Sequence, residues 1–289
     1  MIGLVTDSNA QLPTDLARRY RVEVVPFTVT LDGVEHAEGE DLDADAFWAR
    51  FEGRTPAVTT SQPSPGRFAA AYGAVAARGA EEILSIHIGS AVSGTVNSAR
   101  LAADRAPVPV RVVDTGTASF AVACCVWEAA EALARGASAE EAAAVAGAVG
   151  SRVGNVFVVG ALDLARAGGR LARPGHRAAT AQPEPRAGGI PVLSLRGGTM
   201  EMVGHADDLD GAADAMADAV RAGGSGLRVG VGLADPGAAP LARALEARLA
   251  EAPEVRETVR YRVGPSVGAH TGPGTVGAVF YPTLRTGDA

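Results

Sequence analysis

The stretch IHIGSAVSGTVNSAR, residues 86–100, opens as an apolar run, breaks at Gly89 and resumes as a helix lined with small residues. A strand, a glycine turn and a helix in immediate succession form the repeating unit of parallel α/β sheets. Ser90, Ser93, Thr95 and Asn97 crowd the junction. So many neutral hydrogen-bonding groups at the mouth of a strand raise the question of what they face.

Outward from this stretch, apolar runs at 2–6, 22–30, 83–88 and 110–113 alternate with Ala-rich helical segments. Ser64 is placed to cap a helix that begins at Pro65 and stops at Gly79. A second helix spans about 119–135, and Ser138 with Glu141 has the spacing of a capping box opening a third. At VFVVG, residues 156–160, the pattern restarts and its order changes. A hairpin is expected over 190–203, then a helix from Asp207, a strand over 227–233, a helix from Pro236 and two final strands. The expected fold is α/β: an N-terminal, mostly parallel sheet with helices on both faces, then a C-terminal α+β mixed-sheet domain. Residues 1–150 form the first domain and carry the hydroxyl-rich loops, and residues 151–289 form the second. The Pro- and Gly-rich segment 172–189 reads as a loop.

The length of 289 residues suits two domains, and a hydrophobic content of 47% supplies their cores. The net charge of −7 comes from 33 acidic and 26 basic side chains, and every basic one is arginine. Without lysine, the phosphate loop G-x-x-x-x-G-K-[ST] cannot be built. An acidic chain with no basic run argues against nucleic acid or an anionic membrane as partner. Cys124 and Cys125 are adjacent inside a helical run, where a disulfide between them is geometrically implausible, so a reduced, cytoplasmic protein is expected. The N-terminus MIGLVTDS lacks a signal-peptide pattern, and the uncharged run 265–284 is too punctuated by Gly and Pro for stable membrane insertion.

In open α/β sheets ligands bind beyond the carboxyl ends of the strands. Here those ends carry Thr6-Asp7-Ser8, then Ser93-Gly94-Thr95, then Asp114-Thr115-Gly116-Thr117, with the loop 59–62 (TTSQ) preceding the Pro65 helix. Each hydroxyl taken alone is also an ordinary helix cap. Together they predict a polar crevice for a small acidic head group, sharpest at Ser93-Gly94-Thr95, where glycine admits a ligand to the backbone at a helix start.

Two motifs mislead. GPGTVG, residues 272–277, spells G-x-G-x-x-G but leads into a strand, so it is no dinucleotide fingerprint. GPSVG, residues 264–268, spells G-x-S-x-G, yet its glycines and prolines predict no following helix and hence no nucleophile elbow. The histidines at 36, 87, 176, 205 and 270 show no metal-ligand spacing, so neither metal nor cofactor is expected. His270 stands out in a Gly-rich loop with little core to pack into, and Arg170 follows the end of a helical run.

TDS at 6–8, TSQPSP at 60–65, SGTVNSA at 93–99, GGR at 168–170 and GAHTGPG at 268–274 together resemble the DegV family of fatty-acid-binding proteins. The resemblance covers nearly the whole chain. It implies a non-catalytic, two-domain carrier that holds one long-chain fatty acid, carboxylate at a polar inter-domain site and tail in an apolar tunnel, and presents it to a separate fatty acid kinase. Carried over, Thr60, Ser61, Ser93 and His270 bind the carboxylate, with Gly94, Thr95, Arg170, Asp7 and Ser8 in support. The chain departs from the family pattern over 172–189 and at Thr115, where serine is common. A different class of activity, a serine acyl hydrolase with Ser93 as nucleophile, His270 as base and Asp7 or Asp114 as orienter, uses the same residues but lacks the glycine two places before Ser93.

Overall fold

The computed structural model describes residues 1–161, 163–164 and 189–283. The elements run β1 (Ile2–Asp7), α1 (Thr14–Arg19), β2 (Glu23–Val25), β3 (Thr28–Leu31), β4 (Val34–Ala37), α2 (Ala44–Ala49), β5 (Val58–Ser61), α3 (Pro65–Ala77), β6 (Glu82–His87), α4 (Thr95–Ala103), β7 (Val110–Asp114), α5 (Phe120–Ala134) and α6 (Ala139–Arg152). There follow β8 (Gly154–Val158), β9 (Ile190–Arg196), β10 (Thr199–Ala206), α7 (Leu209–Arg221), β11 (Leu227–Leu233), α8 (Ala239–Ala250), β12 (Val255–Arg262), α9 (Pro265–Thr271) and β13 (Val276–Pro282). They form two compact units. One comprises Met1–Asp43, Thr55–Arg152 and Gly264–Ser266, and the other Ala44–Arg54, Val153–Val263 and the residues from Val267 onward.

The main sheet of the first unit has the order β2-β1-β6-β7, with every pair parallel. Its two central strands, β1 and β6, are largely buried on both faces. Side chains alternate nonetheless: Ile83 packs with Phe68, Tyr72 and Val75 of α3 and Ala99 of α4. Ser85 and His87 share that face, while Leu84 and Ile86 point to the other, where α5 and α6 contact β6. The capping signals are realised. Ser64 Oγ accepts from Arg67 N–H at 3.3 Å, and Ser138 exchanges hydrogen bonds with Glu141 at 2.8 and 3.2 Å.

The single strand expected over 22–30 is divided. Pro26 has no N–H to donate, and beyond it the chain leaves the parallel sheet to enter a separate antiparallel one, ordered β4-β3-β5. Asp32 and Gly33, at φ 50° and 85°, make the two-residue turn that joins β3 to β4.

The second unit is a six-stranded mixed sheet, β10-β9-β8-β13-β11-β12, in which only β11 and β12 run parallel among the described pairs. Its hairpin β9–β10 turns at Gly197-Gly198. Met216 and Val220 of α7 and Leu241 and Leu245 of α8 pack against Val229, Val231 and Phe280. Each such side chain contributes roughly 1.5–3 kcal/mol on full burial. Trp48 of α2 donates its indole N–H to Val263 O at 2.8 Å. Among the described residues no helix is long and apolar enough to cross a membrane.

Candidate functional site

In the first unit the turns after β6 and β7 pack backbone to backbone. Gly89 N–H donates to Thr117 O at 2.7 Å, and a Cβ on Gly89 would lie 2.6 Å from the Gly116 carbonyl carbon. Asp114 Oδ1 joins the same turns, accepting from Ser90 N–H at 3.1 Å and Gly116 N–H at 3.0 Å. Burial opposes ionisation of Asp114, but these donors and Arg100 outweigh it and hold the carboxyl below its usual range.

Ser93 and Thr95 lie at the start of α4, with their hydroxyls 2.8 Å apart. Thr95 is buried and Ser93 half-buried. Gly94 caps the helix without a side chain. Its N–H donates to Gln62 Oε1 at 3.0 Å, and Gln62 Nε2 reaches Ser98 Oγ at 3.4 Å.

The segment 59–62 is not the loop at a parallel strand tip that was expected. Thr60 and Ser61 end β5, opposite Val29 and Thr28 of the antiparallel sheet, because Val58, Thr59 and Thr60 are β-branched and the run alternates in exposure. Gln62, one residue on, ties this strand end to the Ser93-Gly94-Thr95 turn. Gln62 was not singled out from sequence, since a lone glutamine 32 residues away gives no local sign of that contact.

Asp7 and Ser8 stand at the end of β1 and look to different partners. Asp7 Oδ2 accepts from Ile88 N–H at 3.1 Å and pairs with His87 Nδ1 at 2.9 Å, both side chains fully buried. Ser8 accepts from Phe27 N–H at 2.9 Å and donates to buried Glu38. Glu38 also accepts from Ser266 N–H at 2.8 Å. Burial raises the Glu38 carboxyl above its ordinary value, against the lowering effect of its donors Ser266, Ser8 and Gln11. Ser266 Oγ receives Asn9 Nδ2 at 3.3 Å.

Ser266 corrects a second expectation. GPSVG does enter a helix, α9, two residues after β12 ends, since Pro265 is preset for a first helical position. Its hydroxyl is engaged by Asn9 and Gln11. His270 therefore occupies the last turn of α9, in the second unit, and not a loop. Gly272, at φ 76°, ends that helix, and Gly272 N–H returns to Gly268 O at 2.8 Å. A Cβ on Gly268 would lie 2.6 Å from the Trp48 ring.

The second unit also holds a cavity of about 320 Å³ whose walls include Val158, Val159, Ile190, Pro191, Leu209 and Leu241. Gly274, from the same motif as His270, lines it as well. Arg170, with Gly168 and Gly169, and nearly all of the divergent segment 172–189 lie outside the described residues. Among the described residues no group of three or more His, Cys, Asp or Glu side chains is arranged to hold a metal ion.

The model of a family described as "Uncharacterised protein, DegV family" matches residues 1–283. A DegV domain-containing protein of Streptomyces coelicolor is 36% identical over 282 residues, covering 96% of this chain and 97% of the relative. Among solved structures, a DegV family protein from Thermus thermophilus described for its fatty acid binding superposes with a TM-score of 0.83 at 34% identity, covering 98% of this chain and 99% of its own. A DegV lipid-binding protein from Thermotoga maritima gives a TM-score of 0.85 at 26% identity, with 99% of each chain covered.

Proposed function

The chain belongs to the DegV family, and from that premise we propose that it is a carrier that binds a long-chain fatty acid and presents it to a separate fatty acid kinase for acyl-phosphate formation. The observation that carries this reading is the tether from Gln62 to Gly94, which brings the β5 end, with Thr60 and Ser61, to the turn that holds Ser93. The reading draws support from the fatty-acid-binding relative that shares the fold.

In the first unit, Thr60, Ser61 and Ser93 donate hydroxyl hydrogens to the carboxylate, with Gly94, Thr95, Asp7 and Ser8 shaping their surroundings. In the second, His270 supplies a further donor or positive charge, Arg170 takes the same role, and the apolar cavity suits an acyl tail. Neutral hydroxyls orient a carboxylate while leaving an oxygen available to attack a phosphoryl group, which a bidentate arginine clamp on both oxygens would occupy. Burying about fourteen methylenes at ~0.8 kcal/mol each yields on the order of 11 kcal/mol before ordering costs. The tail thus supplies affinity and the head supplies orientation.

Native mass spectrometry of protein purified from cells tests the reading. The expected result is a co-bound acyl chain. A ligand-free protein that also takes up no fatty acid from detergent-free vesicles overturns it. Ser93→Ala is expected to keep the lipid and slow its phosphorylation by the cognate kinase.

A further inference from the structure

The stretch from Ile88 to Ala99, which includes the Ser93-Gly94-Thr95 turn, is fastened at both ends by one buried chain of polar side chains. At its start, Ile88 N–H donates to Asp7 Oδ2 at 3.1 Å. At its far end, Tyr72 O–H reaches Ala99 O of α4 at 3.4 Å. Between them Asp7 Oδ2 pairs with His87 Nδ1 at 2.9 Å, His87 Nε2 with Ser85 Oγ at 2.6 Å, and Ser85 Oγ with Tyr72 O–H at 2.9 Å. All four side chains have zero solvent exposure.

The protons can be placed throughout. A carboxylate that accepts two N–H groups sets the Nδ1–H tautomer of His87. Nε2 is then an acceptor, Ser85 donates to it, and Tyr72 shares its one hydroxyl proton between Ser85 Oγ at 2.9 Å and Ala99 O at 3.4 Å. Burial pushes the Tyr72 phenol up to about 12, so it keeps its proton. The edge of the Phe68–His87 pair, with centroids 4.9 Å apart at 77°, fixes the imidazole plane.

Serine, histidine and aspartate here have the order and contacts of a hydrolytic triad. Yet Ser85 has no exposed surface, and its oxygen is already engaged by Tyr72 O–H at 2.9 Å. Asp7 Oδ1, moreover, is buried and receives no protein hydrogen bond.

We propose that the Asp7–His87–Ser85–Tyr72 chain is the positioning device of the fatty-acid head site, with His87 acting through Asp7 and Ile88 on the start of the turn and through Ser85 and Tyr72 on α4. This rests on the fatty-acid reading above. A binding constellation needs supporting hydrogen bonds that lock its contact residues to within about 0.5 Å, and this chain is the support for Ser93.

The test is carbon-13 NMR of carboxyl-labelled oleate bound to wild type, Tyr72→Phe and His87→Asn. Tyr72→Phe keeps the ring and removes only the O–H. The Asn amide keeps an N–H for Asp7 and loses the link to Ser85. Both are expected to displace or split the bound carboxyl resonance, and the His87 imidazole N–H resonance of wild type is expected to shift when oleate is added. Identical carboxyl spectra in folded variants and wild type overturn this inference alone. Failure of wild type to bind oleate overturns the fatty-acid reading and this inference with it. Labelling of Ser85 by a fluorophosphonate probe also overturns it, in favour of a nucleophile.

Discussion

Gly94 and Gln62 are in contact that leaves no room for a β-carbon: Gly94 N–H donates to Gln62 Oε1 at 3.0 Å, and a Cβ at position 94 would sit 2.5 Å from the same amide. The obstacle is the end of a flexible side chain, so Gly94→Ala is expected to fold with Gln62 displaced, at a cost of about 1 kcal/mol for the lost hydrogen bond. Gln62→Ala removes the same bond from the other side. The double variant should therefore be no less stable than the worse single one, a non-additivity that denaturant titration of the four proteins measures.

Gly89 is the contrasting case. Its missing Cβ would meet the backbone of Gly116 at 2.6 Å, and backbone cannot step aside. Gly89→Ala is expected to cost at least ~2 kcal/mol, through strain between the turns after β6 and β7. Thermal denaturation of Gly89→Ala beside Gly94→Ala checks the ranking, and equal midpoints would contradict it.

What was legible in the sequence follows from how local each signal is. The strands at β1, β6 and β7 and the caps Ser64 and Ser138 are written within a few residues of where they act, and they lie where the sequence places them. The division of the 22–30 run was also written locally, in Pro26 and in the Asp32-Gly33 turn, but the apolar character of the run masked both. The partners of the polar residues were not legible. Asp7 meets His87 80 residues on, and Glu38 meets Ser266 228 residues on. Strand periodicity shows which face such a side chain takes, never which distant group waits there. The helix at 265–271 was hidden for a different reason. Its one glycine, Gly268, a poor helix former, is required by packing against Trp48.

Glu38 makes a prediction about pH. Burial raises its carboxyl above the ordinary value, so the folded chain holds that proton more tightly than the unfolded chain does. The stabilisation from this group is then complete below the unfolded-state pKa, about 4.3, and is lost as pH rises through the folded value. Glu38→Gln cannot titrate. The melting temperature of wild type minus that of Glu38→Gln is expected to fall steadily from about pH 4 upward, whereas a difference that rises with pH would reverse the assignment.

The cavity in the second unit offers a prediction about chain length. Ala238 lines it and is almost fully buried, so Ala238→Leu directs its added carbons into about 320 Å³ of space instead of into solvent. The added carbons enter existing space without displacing packed neighbours, which makes the change nearly neutral for the stability of the empty protein. For the lipid the change is direct, because the added side chain and the end of the acyl tail compete for the same volume. Each methylene kept out forfeits ~0.8 kcal/mol of burial, so two excluded methylenes weaken a fixed long chain by about ten-fold. The fatty acids retained by Ala238→Leu, identified by mass spectrometry after purification from the same cells, are expected to be a few carbons shorter than those on wild type. An unchanged distribution of chain lengths would place the tail elsewhere.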